Sequence, residues 1–494
     1  MIENNKNLQQ LPKGWVWTRV VKIGEVETGT TPRKNRKEYY GNEYPFFKPT
    51  DLNAGYYVSR SEDGLSKEGI KHARFLPEKS VLVTCIGATI GKTGFIRIPG
   101  ASNQQINAII PDRNLLPEFI YFVCISPQFQ KSIIDNASAT TLPILNKSKF
   151  EILTIPLPPL PEQHRIVAKI EELFTKLNAG IEALKKVKAQ LKRYRQAVLK
   201  SAFGGELTKE WREAHKNELE SASVLLGRIK EERRKNAKGK YKELPTVDPS
   251  YLPELPKGWV WTRLGDIGEI NPKFYGDNIP DDLEISFIPM RCVDELTGCF
   301  DSSLVRRVRD VKKGYTPFIN GDVIFAKITP CMENGKVAVV QSLKSGIGFG
   351  STEFHVIRLP QQFPKKLLFF FLIQEGLRKD ARRNMTGSAG QLRVPAPYMQ
   401  QILTPFPPLI EQLKIVEEIE RHFSVADEIE KVVDLSLKQA ERLRQSILKK
   451  AFEGRLVSQD PSDEPAEKLL ERIKEEKAKL ELEGKTKKQV KKGD

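Results

Sequence analysis

The sequence lacks the residue patterns of metal sites and of disulfide frameworks. Its five cysteines form no Cys-x-x-Cys pair, and its five histidines form neither a His-Glu-x-x-His motif nor a Cys/His cluster. Zinc binding and a secreted, disulfide-stabilised fold are therefore not expected, and a reduced cytoplasm is the predicted location. No apolar run approaches the roughly 18 residues of a membrane span. The longest apolar run, at 367–373, is short, so no membrane partner is expected.

The chain also lacks a convincing catalytic motif. The stretch GATIGKTG at 87–94 resembles a phosphate-binding P-loop, but only three residues separate Gly87 from Gly91 where that motif requires four. The matching stretch of the second half retains only Gly335 and Lys336, as a strand turn would. No methyltransferase signature or nuclease array is present either. We therefore expect no catalytic residue, no bound metal and no bound cofactor in this chain, which is predicted not to be an enzyme by itself.

Positive charge, by contrast, is abundant. Lys and Arg total 80 against 63 Asp and Glu, which gives a net charge of +17. An excess of this size favours a polyanionic partner, and nucleic acid is the first candidate. The 494 residues, 39% of them hydrophobic, leave room for about three domains with real cores.

The sequence is an internal duplication. The segment LPKGWVWTR at 11–19 recurs unchanged at 255–263. The segment that begins with Ile155, IPLPPLPEQHRIVAKIEELF, matches TPFPPLIEQLKIVEEIERHF from Thr404, and ASVLLGRIKEERRK from Ala222 resembles AEKLLERIKEEKAK from Ala466. The chain is thus two copies of one unit of about 245 residues.

Each copy contains a long amphipathic helix. Apolar residues recur with heptad spacing from Ile166 to Val198 and again from Ile415 to Ile447, in a frame that includes Tyr194 and Ile429. The spacing predicts helices over 162–203 and 411–452, each about 60 Å long at 1.5 Å per residue. We expect the two helices to pair with each other in antiparallel orientation; a homodimeric coiled coil of each helix is the alternative.

The predicted fold class is α+β: two globular α/β domains separated by two long antiparallel helices that form a coiled-coil rod, with an internal pseudo-two-fold duplication. VLVTCIG (81–87) and DVIFAKIT (322–329) read as buried strands, and 119–124 and 366–373 as buried helices. The expected boundaries are a globular domain at 1–155, a spacer helix at 156–208, a basic helical segment and linker at 209–254, a second globular domain at 255–404, a second spacer helix at 405–457 and a basic helical tail at 458–494.

Candidate DNA contacts occur as two matched sets in the globular domains. Basic residues beside aromatic ones suit phosphate binding and stacking, Asn and Gln can read adenine, and Glu can accept a hydrogen bond from cytosine. The first set is Arg33, Lys34, Arg36, Lys37, Tyr39, Lys92, Asn103, Gln104, Gln105, Ser138, Thr140 and Thr141. The second set is Lys273, Tyr275, Arg306, Arg307, Lys327, Lys336, Ser351, Thr352, Glu353, Ser388, Gln391 and Arg393. Ordinary surface residues and connecting loops are the alternative interpretation.

The order of these segments resembles that of a known family. A globular domain is followed by PLPPLPEQ at the entry of a long helix and by FGGELT with a TKEWR continuation; then come a second domain, PFPPLIEQ, a helix and FEGRLV. GDVIFAKITPCMENGK from Gly321 and GFGSTEFHVI from Gly348 resemble segments of target recognition domains. This order, over nearly the whole chain, resembles the DNA-specificity subunit of type I restriction–modification systems.

The resemblance implies a function and a set of partners. Two target recognition domains would each read one half of a bipartite, gapped site in double-stranded DNA. The helices would dock two modification subunits, which use S-adenosylmethionine to methylate adenine, and motor-nuclease restriction subunits would use ATP and Mg²⁺. A non-specific DNA-binding or coiled-coil scaffold protein is the alternative function. The sequence leaves open whether the basic segments 221–242 and 465–494 pack on the helices or contact partners.

The predicted helix pair generates a test of the spacing between half-sites. Four residues inserted near Ala168 should lengthen the first helix by about 6 Å. Because each base pair adds about 3.4 Å of duplex, the preferred gap should grow by one or two base pairs while the bases read on either side stay the same. Sequencing of the methylated motif measures the gap. An unchanged gap with full activity would show that the helices do not set the spacing.

Overall fold

The computed structural model describes residues 10–138, 142–236, 243–273, 279–295, 297–388 and 390–490, with side chains as far as residue 479. The chain divides into two compact units. Unit 1 comprises Met1–Lys185 with Asp434–Asp494, and unit 2 comprises Lys186–Val433. Each unit therefore contains one globular domain together with part of each long helix.

The elements of the first copy follow the predicted order. Its strands are β1 (Val16–Arg19), β2 (Gly24–Thr28), β3 (Tyr40–Phe47), β4 (Asp63–Leu65), β5 (Val81–Thr84), β6 (Thr93–Phe95), β7 (Ala101–Ser102), β8 (Ile106–Pro111) and β9 (Thr154–Leu157). Its helices are α1 (Val20–Ile23), α2 (Pro117–Cys124), α3 (Pro127–Asn136), α4 (Lys147–Glu151), α5 (Leu160–Phe203), α6 (Lys209–Ala214) and α7 (Ala222–Asn236).

The second copy has the same order of shared elements, with one additional strand, two additional short helices and no counterpart of α6 among its described residues. Its strands are β10 (Val260–Arg263), β11 (Glu269–Ile270), β12 (Glu284–Ile288), β13 (Val305–Arg307), β14 (Thr316–Ile319), β15 (Val323–Ala326), β16 (Val337–Val339), β17 (Ile347–Gly350), β18 (Phe354–Arg358) and β19 (Leu403–Phe406). Its helices are α8 (Leu264–Ile267), α9 (Val308–Val311), α10 (Cys331–Asn334), α11 (Lys365–Leu372), α12 (Glu375–Arg383), α13 (Ala396–Gln401), α14 (Leu409–Phe452) and α15 (Ala466–Val490). Among the helices of the described ranges, none has the length and apolar character to cross a membrane.

Each globular domain is built on a four-stranded antiparallel sheet. The strand order is β2-β8-β5-β6 in unit 1 and β11-β18-β15-β16 in unit 2. Every residue of β5 and of β15 is buried, as their continuous apolar sequences predict. Helices α2 and α11, whose apolar residues are also buried, pack against these sheets. A second sheet, the three-stranded β4-β3-β7 in unit 1 and the four-stranded β13-β12-β17-β14 in unit 2, completes each domain.

The repeated LPKGW segment joins the start of each domain to the start of a long helix. In unit 1, β1 pairs with β9, and the Trp15 indole Nε1 donates a hydrogen bond of 2.9 Å to Glu162 in the first turn of α5. In unit 2, Trp259 donates in the same way to Glu411 of α14 at 2.8 Å. The exact repeat thus encodes one buried joint that occurs twice.

The two long helices pair in antiparallel orientation within each unit. In unit 2, Tyr194 of α5 contacts His422 of α14. Lys188, which precedes Tyr194 in α5, lies 3.6 Å from Glu430, which follows His422 in α14, so the two helices run in opposite directions. In unit 1, the guanidinium of Arg444 in α14 lies 4.5 Å from the ring centroid of Phe174 in α5. The predicted fold class, two duplicated α/β domains with a pair of antiparallel long helices, is confirmed.

The heptad frame is incorrect at individual positions, near the C-terminal end of α5 and in the middle of α14. Tyr194 and Ile429 were placed on the apolar seam by their spacing, but they are 40% and 42% exposed. In this part of unit 2 the helices are joined by charge, because Arg195 contacts Asp427 at 2.6 Å and Glu430 at 2.9 Å. Such cross-helix ion pairs occupy the helix face that spacing alone assigns to apolar contact.

The basic helical segments pack on the globular domains. The backbone N–H of Ala222, at the start of α7, donates to the carbonyl of Gly258, and that of Ala466, at the start of α15, donates to the carbonyl of Gly14, both at 2.9 Å. The apolar faces of α7 and α15 belong to the cores of unit 2 and unit 1, respectively. Each segment therefore packs against the LPKGW joint of its unit, and charged residues such as Arg234 and Arg472 are exposed on its outer side.

The two joints differ in how the buried glutamate is satisfied. In unit 2, Oε1 of Glu411 accepts hydrogen bonds from Arg212 and Thr208, both at 2.7 Å. In unit 1, Oε1 of Glu162 has no hydrogen-bond partner among the described residues, and burial raises the pKa of this carboxyl. The cause lies in the sequence, because LTKEWR at 207–212 is replaced by LVSQDP at 456–461 in the other copy.

This difference predicts that the same substitution costs more stability in one joint than in the other. Glu411→Gln should destabilise unit 2 by about 3 kcal/mol, because it leaves the buried Arg212 without its counter-charge. Glu162→Gln should cost less than about 1 kcal/mol, since the amide oxygen still accepts from Trp15 and no buried carboxylate remains. Urea unfolding of the two full-length variants measures both effects. Equal losses would contradict the account of the two joints.

Candidate nucleic-acid interface

In unit 1, the antiparallel order of the main sheet brings several connecting segments to one edge. Thr28 at the end of β2 pairs with Asn107 of β8, and Thr84 at the end of β5 pairs with Ile106 at the start of β8. The segments after β2, between β5 and β6 and before β8 therefore leave the sheet side by side. We call this surface edge 1; its segments are residues 29–39, 85–92 and 102–105, with 138 and 142–145 from the segment after α3.

Hydrogen bonds join the segments of edge 1 to one another. The Thr31 hydroxyl donates to the side-chain oxygen of Gln104 at 2.5 Å. The Cys85 N–H donates to the Gln105 carbonyl at 2.7 Å, and the Leu145 N–H donates to the Cys85 carbonyl at 2.8 Å. The four segments thus form one connected surface rather than separate loops.

Unit 2 repeats this arrangement at edge 2, which comprises residues 271–273, 327–336, 351–353, 386–388 and 390–393. Ala326 at the end of β15 pairs with Phe354 at the start of β18. The Lys327 N–H donates to the Glu353 carbonyl at 2.9 Å, and the Val394 N–H donates to the Lys327 carbonyl at 2.8 Å. These two bonds reproduce the Cys85 and Leu145 bonds of edge 1.

The shared backbone bonds establish which residues of the two edges are equivalent. The bridge between residues 86 and 144 of edge 1 also recurs between 328 and 393 of edge 2. Equivalent positions carry different side chains, namely Cys85 and Lys327, Gln105 and Glu353, and Ile144 and Arg393. The two edges therefore share one backbone frame and differ in chemistry.

A buried polar contact fixes the last segment of edge 2 against the sheet. Nδ1 of His355 lies 3.0 Å from the Asn271 amide nitrogen, and Nε2 donates to the Val394 carbonyl at 2.8 Å. Burial lowers the pKa of His355 from its ordinary value, so the ring is held neutral. In edge 1, Asn107 has the same role, since its amide donates to the Leu145 carbonyl at 3.5 Å.

The structure places most of the first predicted set on edge 1. Arg33, Lys34, Arg36 and Lys37 are exposed beyond β2. The other described members of the set have protein contacts or are partly covered. Tyr39 stacks on His72, Gln104 bonds Thr31, buried Asn103 bonds Gln105, Ser138 donates to the Ile144 carbonyl, and Lys92 and Gln105 are half-buried. Thr140 and Thr141 lie outside the described residues.

Most of the second predicted set lies on edge 2. Lys273, Thr352, Ser388 and Gln391 are exposed, and Lys327 and Ser351 are half-buried. Glu353 and Arg393 bond each other, with Nε–Oε2 at 2.9 Å and Nη2–Oε1 at 2.8 Å. The Arg393 guanidinium lowers the pKa of Glu353 and keeps it ionised. Tyr275 lies outside the described residues.

Three predicted residues lie apart from the exposed part of edge 2. Arg306 and Arg307 lie on β13, where Arg307 pairs with Glu284 at the first residue of β12. Edge 2 adjoins the other end of β12, where Ile288 pairs with Gly350. Lys336 belongs to the 327–336 segment, but its amine donates to the Met290 carbonyl at 3.2 Å and its side chain is largely buried.

The sequence reasoning missed two basic residues near edge 2. Arg382 and Arg383 are exposed in the last turn of α12, immediately before residues 386–393. The run GLRKDARRN at 376–384 is a basic amphipathic helix, and this charge pattern was the available signal. Among the described residues, no group of three or more His, Cys, Asp or Glu could hold a metal ion.

Because His355 is buried in its neutral form, we expect the stability of unit 2 to depend on pH at this position, where edge 1 has Asn107 instead. Because the pKa of His355 is lowered in the folded state, its contribution to stability is complete above about pH 6.5 and is lost as the pH falls. His355→Asn, which copies Asn107, should make unit 2 less sensitive to acid between about pH 7 and about pH 5. Hydrogen exchange of β18 measures this sensitivity, with Asn107→Ala as the control in β8. Equal acid sensitivity in the variant and the parent would contradict the assignment.

Comparison with known proteins agrees with the duplicated architecture. The EcoAI specificity subunit of a type I restriction enzyme from Escherichia coli is 38% identical over 346 residues, which are 60% of this chain and 58% of the relative. The chain thus spans less than two thirds of that relative. The EcoKI specificity subunit of Escherichia coli K12 is 24% identical over 490 residues, 95% of this chain and 97% of the relative.

Solved structures share the fold at low sequence identity. A chain from a type I R-M system has a TM-score of 0.65 at 17% identity and covers 91% of this chain and 100% of that one. The HsdS subunit from Thermoanaerobacter tengcongensis has a TM-score of 0.51 at 18% identity, covering 91% and 99%. The family model for the type I restriction modification DNA specificity domain matches residues 12–191 and 256–439. This chain therefore belongs to the type I restriction–modification DNA specificity family.

Proposed function

We propose that this chain is the DNA-specificity subunit of a type I restriction–modification complex and binds a bipartite, gapped site in double-stranded DNA. Edge 1 reads one half-site and edge 2 reads the other. The observation that carries the proposal is the pair of edges, which share one backbone frame and differ in their side chains. A duplicated frame allows two similar domains to recognise different sequences, so the complete site is asymmetric.

The chemistry of each edge suits DNA. Exposed cations, such as Arg33 and Lys34 in edge 1 and Lys273 in edge 2, can bind phosphates without regard to sequence. The polar groups beside them, such as Gln105 and Gln391, can bond base edges. Each edge therefore combines groups that position the duplex with groups that discriminate bases. The recognition domains on this proposal are residues 1–155 and 255–404, and the long spacer helices lie within 156–208 and 405–457.

The chemical steps belong to partner subunits. Two modification subunits would bring S-adenosylmethionine and methylate adenine, and restriction subunits would bring ATP and Mg²⁺, in the cytoplasm where the DNA is accessible. Several apolar side chains of α14 are exposed in unit 2, where a partner docked on the long helices would bury them. These residues are Ile410, Leu413, Val425 and Val432.

Exchange of one domain tests the division into two readers. Replacement of residues 11–155 by the corresponding domain of the EcoKI specificity subunit should change one half-site of the methylated motif and leave the other unchanged. The reciprocal replacement of residues 255–404 is the matched control and should change only the other half-site. Sequencing of methylated DNA from cells that also carry the modification subunit gives the motif. A change in both half-sites after one exchange would refute the two-reader proposal.

A further inference from the structure

The two edges differ in chemistry at the place where, in edge 2, Arg393 of the last segment meets Glu353, which precedes a central strand. The equivalent backbone positions of edge 1 carry Ile144 and Gln105. One edge thus presents an ion pair where the other carries an amide and an aliphatic residue at the equivalent positions. Because the backbone frame is shared, this difference lies at the same place in each reader.

Arg393 is fixed in position while it retains free donors. Its Nε and Nη2 donate to Glu353, and its Nη1 donates to the Gln391 carbonyl at 3.1 Å. Of the five N–H groups of a guanidinium, one on each Nη has no acceptor among the described residues of edge 2. The side chain is 40% exposed, so these two donors can reach an external ligand.

Gln105 is fixed in a comparable way in edge 1. Its Oε1 accepts from the Asn103 amide at 2.9 Å, and its backbone N–H donates to Asn103 Oδ1 at 3.1 Å. The second lone pair of Oε1 and the Nε2 donors are the groups left for a ligand. Beside Gln105, Ile144 and Leu142 are 37% and 52% exposed, so aliphatic surface lies next to the amide.

We propose that the two edges read opposite kinds of base pair at this shared position. Edge 2 reads a G·C pair through Arg393, and edge 1 reads an A·T pair through Gln105 and the aliphatic side chains of Leu142 and Ile144. This inference rests on the proposed function and adds which residues determine specificity and which base pair each one selects.

The preference follows from the donor and acceptor pattern of the major groove. Guanine presents two acceptors, O6 and N7, which match the two free donors of an arginine. Adenine presents a donor and an acceptor, N6 and N7, which match a carboxamide, and the thymine methyl group offers an apolar contact.

Glu353 acts as a positioning residue in this arrangement. Both of its oxygens accept hydrogen bonds from Arg393, so it orients the guanidinium.

The test uses Arg393→Lys in the full complex with the modification subunit. Lysine keeps the charge and loses the planar fork, so one G·C position of one half-site should lose about ten-fold or more of its preference, while the other positions persist. The readout is selection from a randomised duplex pool, followed by sequencing. Arg228→Lys is the matched control, because Arg228 is an exposed arginine paired with Glu220 in the same unit, on α7.

Two further variants complete the test. Glu353→Gln should relax the same G·C position as Arg393→Lys and no other position. Gln105→Ala should relax an A·T position in the opposite half-site. Either result can be obtained if the other variant fails to fold.

The outcomes separate this inference from the proposed function. If the parent complex selects no gapped motif, the proposed function fails. If the parent selects a gapped motif but Arg393→Lys relaxes an A·T position, or changes no single position more than Arg228→Lys does, the inference is wrong and the proposed function stands. Loss of affinity for all sequences alike would also overturn the inference, because it would make Arg393 a phosphate contact.

Discussion

The recognition surfaces depend on one backbone constraint, the antiparallel pairing of β8 with β5 and of β18 with β15. Antiparallel neighbours place the end of one strand beside the start of the next, so the segments that follow β2 and β5 must leave the sheet beside the segment that precedes β8. The buried, apolar sequences of the central strands hold this register, since a slip of one residue would move each side chain to the opposite face and disrupt the packing of both cores. Polar residues far apart in sequence therefore meet at one edge.

Because the unit is duplicated, the same backbone arrangement occurs twice, and the side chains of the two copies can differ. The hydrogen bonds that hold each edge are mostly between backbone groups, so they survive when side chains change. Side chains that reinforce the frame have also changed while keeping their role, as Asn107 and His355 show by donating to the same position of the last segment. The joint between Trp15 and Glu162, repeated in Trp259 and Glu411, keeps each domain attached to its long helix. The recognition chemistry can vary without loss of the scaffold.

The sequence was sufficient for the architecture, and local pattern explains why. Repeats, apolar periodicity and proline-rich helix starts are patterns of the linear sequence and need no knowledge of tertiary contacts. The helices α5 and α14 accordingly begin and end within a few residues of their predicted limits. The candidate site was harder to predict. The second predicted set includes Arg306 and Arg307, which lie on β13, away from edge 2. The ion pair of Glu353 with Arg393 joins residues forty positions apart. Such contacts depend on tertiary packing, which composition and spacing do not encode.

The central claim is that two edges of one chain read two separate parts of a DNA site. Single-molecule sequencing of methylated DNA, from cells that carry this chain with its modification subunit, tests this claim most directly. The account predicts one asymmetric motif of two short specified parts with an unspecified gap between them. A continuous motif, or methylation without any sequence preference, would contradict it.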